Sequence, residues 1–172
     1  MEYTNPMQAP RIEKVTVHVG VGESGERLIK AEQLLAKLTG RKPVRTVSTH
    51  RIPAWGIRKG TPIGAKVTLR KNDANEFLRK AFHAKSTIKK SSFDKFGNFS
   101  FGIQEYIDFP DMKYDPDIGI FGMDICVTLE RKGFRIKHRK LKNTGDSGLR
   151  GHHLSKDEAI SFIKENFKVE IE

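Results

Sequence analysis

The chain has 172 residues and a formal net charge of +11, from 32 lysines and arginines against 21 aspartates and glutamates. This length predicts one domain over residues 1–172, and the surplus of cations favours a polyanionic partner. The single cysteine, Cys126, excludes an intramolecular disulfide and a multi-cysteine zinc site. Because no apolar run approaches a membrane span and residues 1–10 do not resemble a signal peptide, we expect a cytoplasmic protein with no membrane association.

The apolar pattern predicts strands and helices along the chain. Val15, Val17 and Val19 alternate with polar residues and predict a strand over residues 12–19. The next apolar residues have helical spacing over residues 27–38, and Gly40 follows where a C-terminal cap is favoured. Further strands are expected at residues 44–48, 63–70, 98–106 and 123–130, and further helices at residues 72–82, capped by Asn72, and 155–166, opened by a capping box.

The order of these elements indicates the fold class. The long loops and the lack of a regular strand–helix repeat favour an α+β fold over a doubly wound parallel sheet. We expect a mostly antiparallel sheet with helices packed on one face and long basic loops. Residues 131–172 are interpreted as a basic segment followed by a C-terminal helical extension.

Charge is distributed unevenly along the chain. Residues 33–72 contain ten lysines and arginines and no carboxylate, and residues 131–145 contain seven and none. Residues 94–130 have the opposite balance, with eight acidic residues against two basic ones. Since an evenly solvated surface mixes both signs, the first segment predicts a surface that faces phosphate groups.

Residues 20–25 have the pattern G-x-G-x-x-G between a predicted strand and a predicted helix, which is the context of a dinucleotide-binding turn. Such a site also needs an acidic residue about 20 positions later for the ribose hydroxyls, and residues 40–49 contain none. We therefore favour a tight turn from Gly20 to Gly25 whose free amides could bind an RNA phosphate. A nucleotide-dependent enzyme is the alternative.

The remaining residue types indicate no catalytic or metal site. The histidines are scattered, and the adjacent pair His152 and His153 does not share a face of a helix or strand. No serine or cysteine stands in a nucleophile-elbow sequence. We predict no enzyme activity, no cofactor and no bound metal.

Residues 49–62 are rich in proline and glycine and place the only tryptophan, Trp55, among Arg51, Arg58 and Lys59. An aromatic ring among cations suits stacking on a nucleobase combined with neutralisation of phosphates. The alternative is that Trp55 packs into the core and anchors the loop. A second basic stretch, residues 131–142, precedes a glycine-rich segment over residues 143–153, which we expect to be mobile until it binds a partner.

The sequence IEKVTVHVGVGE at residues 12–23 is followed by LTGRKP at residues 38–43 and by GIRKGTPIGAKVTLR at residues 56–70. In this order and spacing, these motifs resemble the ribosomal protein L5 family, and residues 97–105 and 114–124 extend the resemblance. The final 40 residues, basic and then helical, are similar to the archaeal and eukaryotic branch and point to an archaeal member. The resemblance implies a protein that binds 5S rRNA and attaches it in the central protuberance of the large ribosomal subunit.

The resemblance also implies which residues contact RNA. Members of the family hold 5S rRNA with the sheet face and adjoining turns, and the matching positions are His18, Arg41, Lys42, Arg45, Thr46, Lys66, Thr68 and Arg70. The family commonly has asparagine at the position of His18 and glutamine at that of Arg41, while Thr68 matches. The loop that reaches the elbow of peptidyl-site tRNA corresponds to His50, Arg51, Trp55, Ile57, Arg58 and Lys59.

An acidic stretch falls where family members approach a basic protein of the small-subunit head. Its carboxylates, which would attract a cationic protein, are Glu105, Asp108, Asp111, Asp115 and Asp117. The implied partners are therefore 5S rRNA, large-subunit rRNA with neighbouring central-protuberance proteins, peptidyl-site tRNA and that small-subunit protein. A general basic RNA chaperone, which would bind all structured RNAs alike, is the alternative to this ribosome-bound role.

Overall fold

The structure is a computed structural model that describes residue 3, residues 5–134 and residues 152–172. Its helices are α1 (Glu26–Thr39), α2 (Lys71–Ala84) and α3 (Lys156–Phe167), and its strands are β1 (Pro10–Gly20), β2 (Val44–Val47), β3 (Pro62–Leu69), β4 (Thr87–Ile88), β5 (Phe99–Ile103), β6 (Met123–Arg131) and β7 (Glu170–Ile171). Five strands form an antiparallel sheet in the order β2-β3-β1-β6-β5, and β4 pairs in parallel with β7. This arrangement confirms the predicted α+β class.

The core lies between one face of this sheet and the helices α1 and α2. In the middle of the sheet, Val17 of β1 is flanked in register by Val67 of β3 and Ile125 of β6, and all three are buried. The helices add the fully buried side chains of Leu34 and Leu78. Each such side chain contributes about 1.5–3 kcal/mol when it leaves water, so the alternation of β1 fixes which face turns inward.

The structure confirms one of two predicted helix caps and contradicts the other. Gly40 ends α1 in the left-handed conformation, with φ of 64°, and donates its amide hydrogen to the Ala36 carbonyl, which confirms the predicted cap. The predicted Asn72 cap is wrong, because α2 begins at Lys71 after an extended Arg70 and no side chain caps it. Lys71 itself has a left-handed φ of 55°, so the backbone makes the sharp turn from β3 into α2.

The strand predicted over residues 98–106 is shorter than expected. β5 ends at Ile103, and Tyr106–Asp108 form a 3₁₀ turn. Tyr106 is fully buried, and its hydroxyl accepts a hydrogen bond from the Asp115 amide at 2.9 Å. The aromatic residue that suggested a longer strand therefore anchors the following loop.

The C-terminal helix is fastened at its first turn. Ser155 Oγ accepts from the Glu158 amide at 3.3 Å and Glu158 Oε2 accepts from the Ser155 amide at 3.0 Å, which confirms the predicted capping box. The same carboxylate accepts from Arg131 Nη2 at 2.8 Å and so ties α3 to the end of β6. Burial raises the pKa of Glu158, but the Ser155 hydrogen bonds and the Arg131 charge outweigh burial and hold this pKa below its usual value.

Two expectations about the C-terminal part lie mostly outside the described residues. The predicted basic stretch over residues 131–142 is described only as far as Phe134, and the glycine-rich segment over residues 143–153 only at His152 and His153. Among the helices in the described ranges, none is both long enough and apolar enough to cross a membrane.

Candidate RNA-binding surface

The face of the sheet opposite α1 and α2 is polar, and we call it the open face. In the register of the sheet, His18 of β1 lies between Lys66 of β3 and Asp124 of β6, and Thr16 lies beside Thr68. These five residues alternate with the buried valines, leucine, alanine and isoleucine of the same strands, and each is exposed or half-buried. The sheet therefore presents hydroxyls, an imidazole and an ammonium group side by side.

Gly64 lets two of the predicted RNA-binding residues approach each other on the open face. It pairs with Thr46 across β2 and β3. A Cβ at this position would lie 2.9 Å from Thr46 Oγ1, 3.1 Å from His18 Nε2 and 2.8 Å from the Val19 carbonyl oxygen. The absence of a side chain at Gly64 therefore provides the space in which the hydroxyl and the imidazole lie.

A hollow of about 550 Å³ lies at the β2 side of the sheet, and we call it the β2–β3 hollow. The charged side chains that line it are Arg41, Lys42, Lys66, Arg70, Lys71 and Asp73. Four of these cations were predicted to contact rRNA, so the fold brings together residues up to 29 positions apart in the sequence. Lys71 was not predicted and joins the group because of the sharp turn into α2.

Both arginines of this hollow are paired with carboxylates. Arg41 donates from Nε to Asp73 Oδ2 at 3.0 Å, and a second bond runs from its Nη2 to the same oxygen. Arg70 donates from Nη1 to Glu13 Oε1 at 3.1 Å. Among the described residues, no carboxylate forms an ion pair with Lys42, Lys66 or Lys71.

Arg45 does not lie on the open face with the other predicted rRNA contacts. It pairs in register with Ala65, whose side chain is buried on the helix side of the sheet. Arg45 donates to both carboxylate oxygens of Glu32 on α1, with Nη2 at 3.2 Å from Oε2, and this hydrogen bond raises the Arg45 pKa. Arg45 therefore lies on the side of β2 opposite to Thr46, because adjacent residues of a strand point to opposite faces, and its contact with rRNA stays a prediction.

A second concavity, of about 630 Å³, borders the open face beside β5. His18 and Asp124 line it together with Lys85 and Lys89, which sequence reasoning missed. Lys85 Nζ donates to the Gly102 carbonyl oxygen at 2.8 Å. The surplus of basic residues over residues 73–93, five against two acidic ones, was the available signal, but only the fold shows that two of these lysines lie near the open face.

Cys126 also lines this second concavity. Burial, and then the charge of Asp124, raise the pKa of its thiol. A thiol with a raised pKa is a poor nucleophile, because the thiolate is the reactive form. Within the part of the chain that the structure describes, no three histidine, cysteine or acidic side chains lie together to hold a metal.

The predicted tRNA loop is folded around a short turn and exposes its aromatic residue. Pro53–Trp55 form a 3₁₀ turn closed by left-handed Gly56, and the Ile52 and Ile57 backbones pair beneath it. Trp55 is 73% exposed, so the alternative that it anchors the core is wrong. Ile57 is only 8% exposed and pairs with Ile52 through its backbone, and its contact with tRNA stays a prediction. The remaining predicted contacts, all exposed, are His50, Arg51, Arg58 and Lys59.

The acidic stretch divides into paired and unpaired carboxylates. Asp111 lies 2.5 Å from Lys80 Nζ, and Asp115 accepts from Lys37 Nζ at 2.6 Å. The Lys37 hydrogen bond is the main reason that the Asp115 pKa is lowered. These two acids therefore hold the stretch against the helices. The other three are exposed and form no ion pair with another described residue: Glu105, Asp108 and Asp117.

The glycine-rich turn has no nucleotide-binding geometry. The amides of Val21 and Gly22 both donate to the Ile63 carbonyl oxygen, at 3.0 and 2.8 Å. The expectation of free amides is therefore wrong at these two positions. β1 also has antiparallel neighbours on both sides, whereas the dinucleotide fold needs parallel strands. The nucleotide-dependent enzyme is excluded on this geometry.

Two family models and several relatives match this chain over most of its length. Residues 5–58 match the family model for ribosomal protein L5, and residues 62–165 match the model for the C-terminal part of the same family. The large ribosomal subunit protein uL5 of Methanococcus aeolicus is 52% identical over 171 residues, covering 97% of this chain and 93% of the relative. The uL5 protein of Sulfurisphaera tokodaii is 54% identical over 168 residues, covering 97% and 94%. The chain therefore belongs to the ribosomal protein L5 family, in its archaeal branch, and is a ribosomal protein rather than an enzyme.

Proposed function

We propose that this ribosomal protein binds 5S rRNA through the open face and the β2–β3 hollow, and that it attaches this RNA in the central protuberance of the large subunit. Its archaeal relatives are named large ribosomal subunit proteins, which supports a structural role in that subunit. Neighbouring large-subunit rRNA and central-protuberance proteins complete the proposed set of contacts. The proposed location is on ribosomes in the cytoplasm.

The observation that carries this proposal is a polar sheet face bordered by lysines without carboxylate partners in the described structure. Lys42, Lys66 and Lys71 line one hollow, so phosphates bound there would release condensed counterions. The hydroxyls of Thr16 and Thr68 lie next to the hollow on the same face. Hydroxyl side chains can bond to the 2′-hydroxyls and base edges by which proteins recognise RNA.

The charges of the open face also orient the RNA. Phosphates are favoured beside Lys42, Lys66 and Lys71 in the β2–β3 hollow and beside Lys85 and Lys89 in the second concavity. They are disfavoured at the carboxylate of Asp124 on β6. Asp124 can instead accept a hydrogen bond from a 2′-hydroxyl or a base amino group. We infer that the RNA backbone lies beside these lysines and that sugar or base edges face β6.

We propose that the loop of residues 49–62 contacts peptidyl-site tRNA. The exposed ring of Trp55 stands among exposed cations of the same loop, Arg51, Arg58 and Lys59. Stacking on an aromatic ring contributes about 1–3 kcal/mol per base and tolerates any base. The loop lies beyond the ends of β2 and β3, so it can bind a second RNA while the open face holds the first.

We further propose that the unpaired acids Glu105, Asp108 and Asp117 contact a basic protein of the small-subunit head. Their charge repels phosphate, so this surface suits a cationic protein rather than rRNA. Asp111 and Asp115 contribute by holding the acidic stretch against α2 and α1.

The open-face proposal predicts that Lys66→Glu weakens 5S rRNA binding about tenfold or more at low salt and reduces the salt slope by about one. Filter binding of the purified protein across a salt series measures both quantities. Lys164→Glu is the matched control, because Lys164 is exposed on α3 and its replacement changes the net charge equally. If both variants weaken 5S rRNA binding equally, the proposal that the open face contacts this RNA is contradicted.

The loop proposal predicts that Trp55→Ala folds normally, keeps 5S rRNA binding and weakens peptidyl-site tRNA binding by roughly tenfold, the loss of one stacked base. Ribosomes reconstituted with the variant provide the tRNA measurement. Trp55→Phe retains a ring and should retain most of the affinity. A folded Trp55→Ala protein that loses 5S rRNA binding, or ribosomes with unchanged tRNA affinity, would contradict the assignment.

The acidic-surface proposal predicts that reversing Asp108 and Asp117 to lysine weakens subunit joining at low magnesium and leaves 5S rRNA binding intact. Repulsion between the new lysines and a cationic partner is the cause. Sedimentation of reconstituted subunits measures joining. The control, Glu165→Lys with Glu170→Lys, changes the net charge equally at exposed positions of the C-terminal segment. Joining that is unaffected by the Asp108 and Asp117 reversals argues against the contact.

A further inference from the structure

The β2–β3 hollow contains two kinds of cation that differ in their partners. Its arginines, Arg41 and Arg70, are held by carboxylates from α2 and β1, Asp73 and Glu13. Its lysines line the same hollow and form no ion pair within the described residues: Lys42, Lys66 and Lys71. Among the cations that line the hollow, both arginines are therefore paired with carboxylates, and none of the lysines is paired with a described carboxylate.

The two arginine pairs have little value for stability. The side chains of Arg41 and Arg70 are 64% and 55% exposed, and ion pairs between exposed side chains stabilise a fold only weakly. Their clearest effect is that carboxylates occupy N–H donors of both guanidinium groups. Arg41 uses Nε and Nη2 on Asp73, and this is the fork with which an arginine grips a phosphate.

Each carboxylate has a second favourable contact and can therefore release its arginine. Asp73 lies in the first turn of α2, where the helix dipole stabilises a negative charge. Glu13 lies at the bulge of β1, with Oε1 4.0 Å from Lys14 Nζ. The carboxylates thus remain partly neutralised when a phosphate takes the arginines.

We propose that Asp73 and Glu13 are specificity-determining residues that compete with RNA phosphate for Arg41 and Arg70. The proposal rests on the proposed function of the hollow in binding rRNA. An RNA that places a phosphate at each arginine displaces the carboxylates and gains two charge-assisted contacts. An RNA of another shape meets only the lysines, so the carboxylates lower non-cognate affinity and act as a repulsive element.

The test neutralises the competitors and measures binding to an RNA that is not the cognate one. Asp73→Asn and Glu13→Gln, singly and together in the full chain, are titrated with a 20-base-pair RNA duplex unrelated to 5S rRNA. The double variant should bind this duplex about threefold to tenfold more tightly at low salt, with a salt slope steeper by about one per released arginine. Its preference for 5S rRNA over the duplex should shrink.

The matched control is Glu32→Gln with Glu26→Gln. It changes the net charge equally and releases Arg45, which lies on the helix side of the sheet, so the duplex affinity should change less than about twofold. An unchanged slope in the double variant, or an equal gain in the control, would overturn the proposal. If thermal unfolding shows that Asp73→Asn does not fold, Glu13→Gln alone tests the proposal. This single variant releases one arginine, so the salt slope should become steeper by about one.

The same measurements distinguish failure of 5S rRNA binding from failure of the competitor role. If the native chain shows no preference for 5S rRNA over the duplex, the proposed function fails, but the duplex slopes still decide whether the carboxylates compete with phosphate. If the preference is present and the variants leave it unchanged, only the competitor role is lost.

Discussion

The antiparallel sheet is covered by helices on one side and exposes the other, and this constraint determines which side chains form the candidate binding surface. Alternate residues of β1, β3 and β6 pack beneath α1 and α2, so the residues between them form the polar open face. The register of the strands is fixed by this alternation, because a shift of one residue would bury Lys66 and His18 and expose the core valines. Core packing and the binding surface are therefore two results of the same pattern.

The charge of the surface differs from the charge of the segments that form it. Residues 33–72 contain no carboxylate, yet four of their cations meet carboxylates from other elements, and one of these is Lys37, which pairs with Asp115. Arg41 and Arg70 are neutralised within the β2–β3 hollow and Arg45 on the helix side. The cations of this segment that form no ion pair with a described carboxylate are Lys42, Lys66 and Lys71 at the hollow and Arg51, Arg58 and Lys59 in the loop of residues 49–62. Position on the fold, rather than net charge, therefore defines the proposed interface.

Much of the fold is predictable from sequence because short-range patterns specify it. Alternating valines predict β1, helical spacing and Gly40 predict α1 with its end, and the capping box predicts the start of α3. The site is less predictable because its determinants are long-range. Nothing local shows that Arg70 meets Glu13, 57 positions away. β2 exposes Val44 and Val47 and so lacks an apolar alternation that would tell which face Arg45 takes.

The most direct test of the account is the binding of the unmodified protein to 5S rRNA and to a structured RNA of equal length, measured across a salt series. Electrostatic attraction to phosphates acts on any RNA and falls steeply with salt, whereas hydroxyl contacts and shape fit depend on the RNA. We expect a preference for 5S rRNA that persists at high salt. Equal binding of both RNAs that disappears as salt rises would contradict it and would leave a general basic RNA-binding protein.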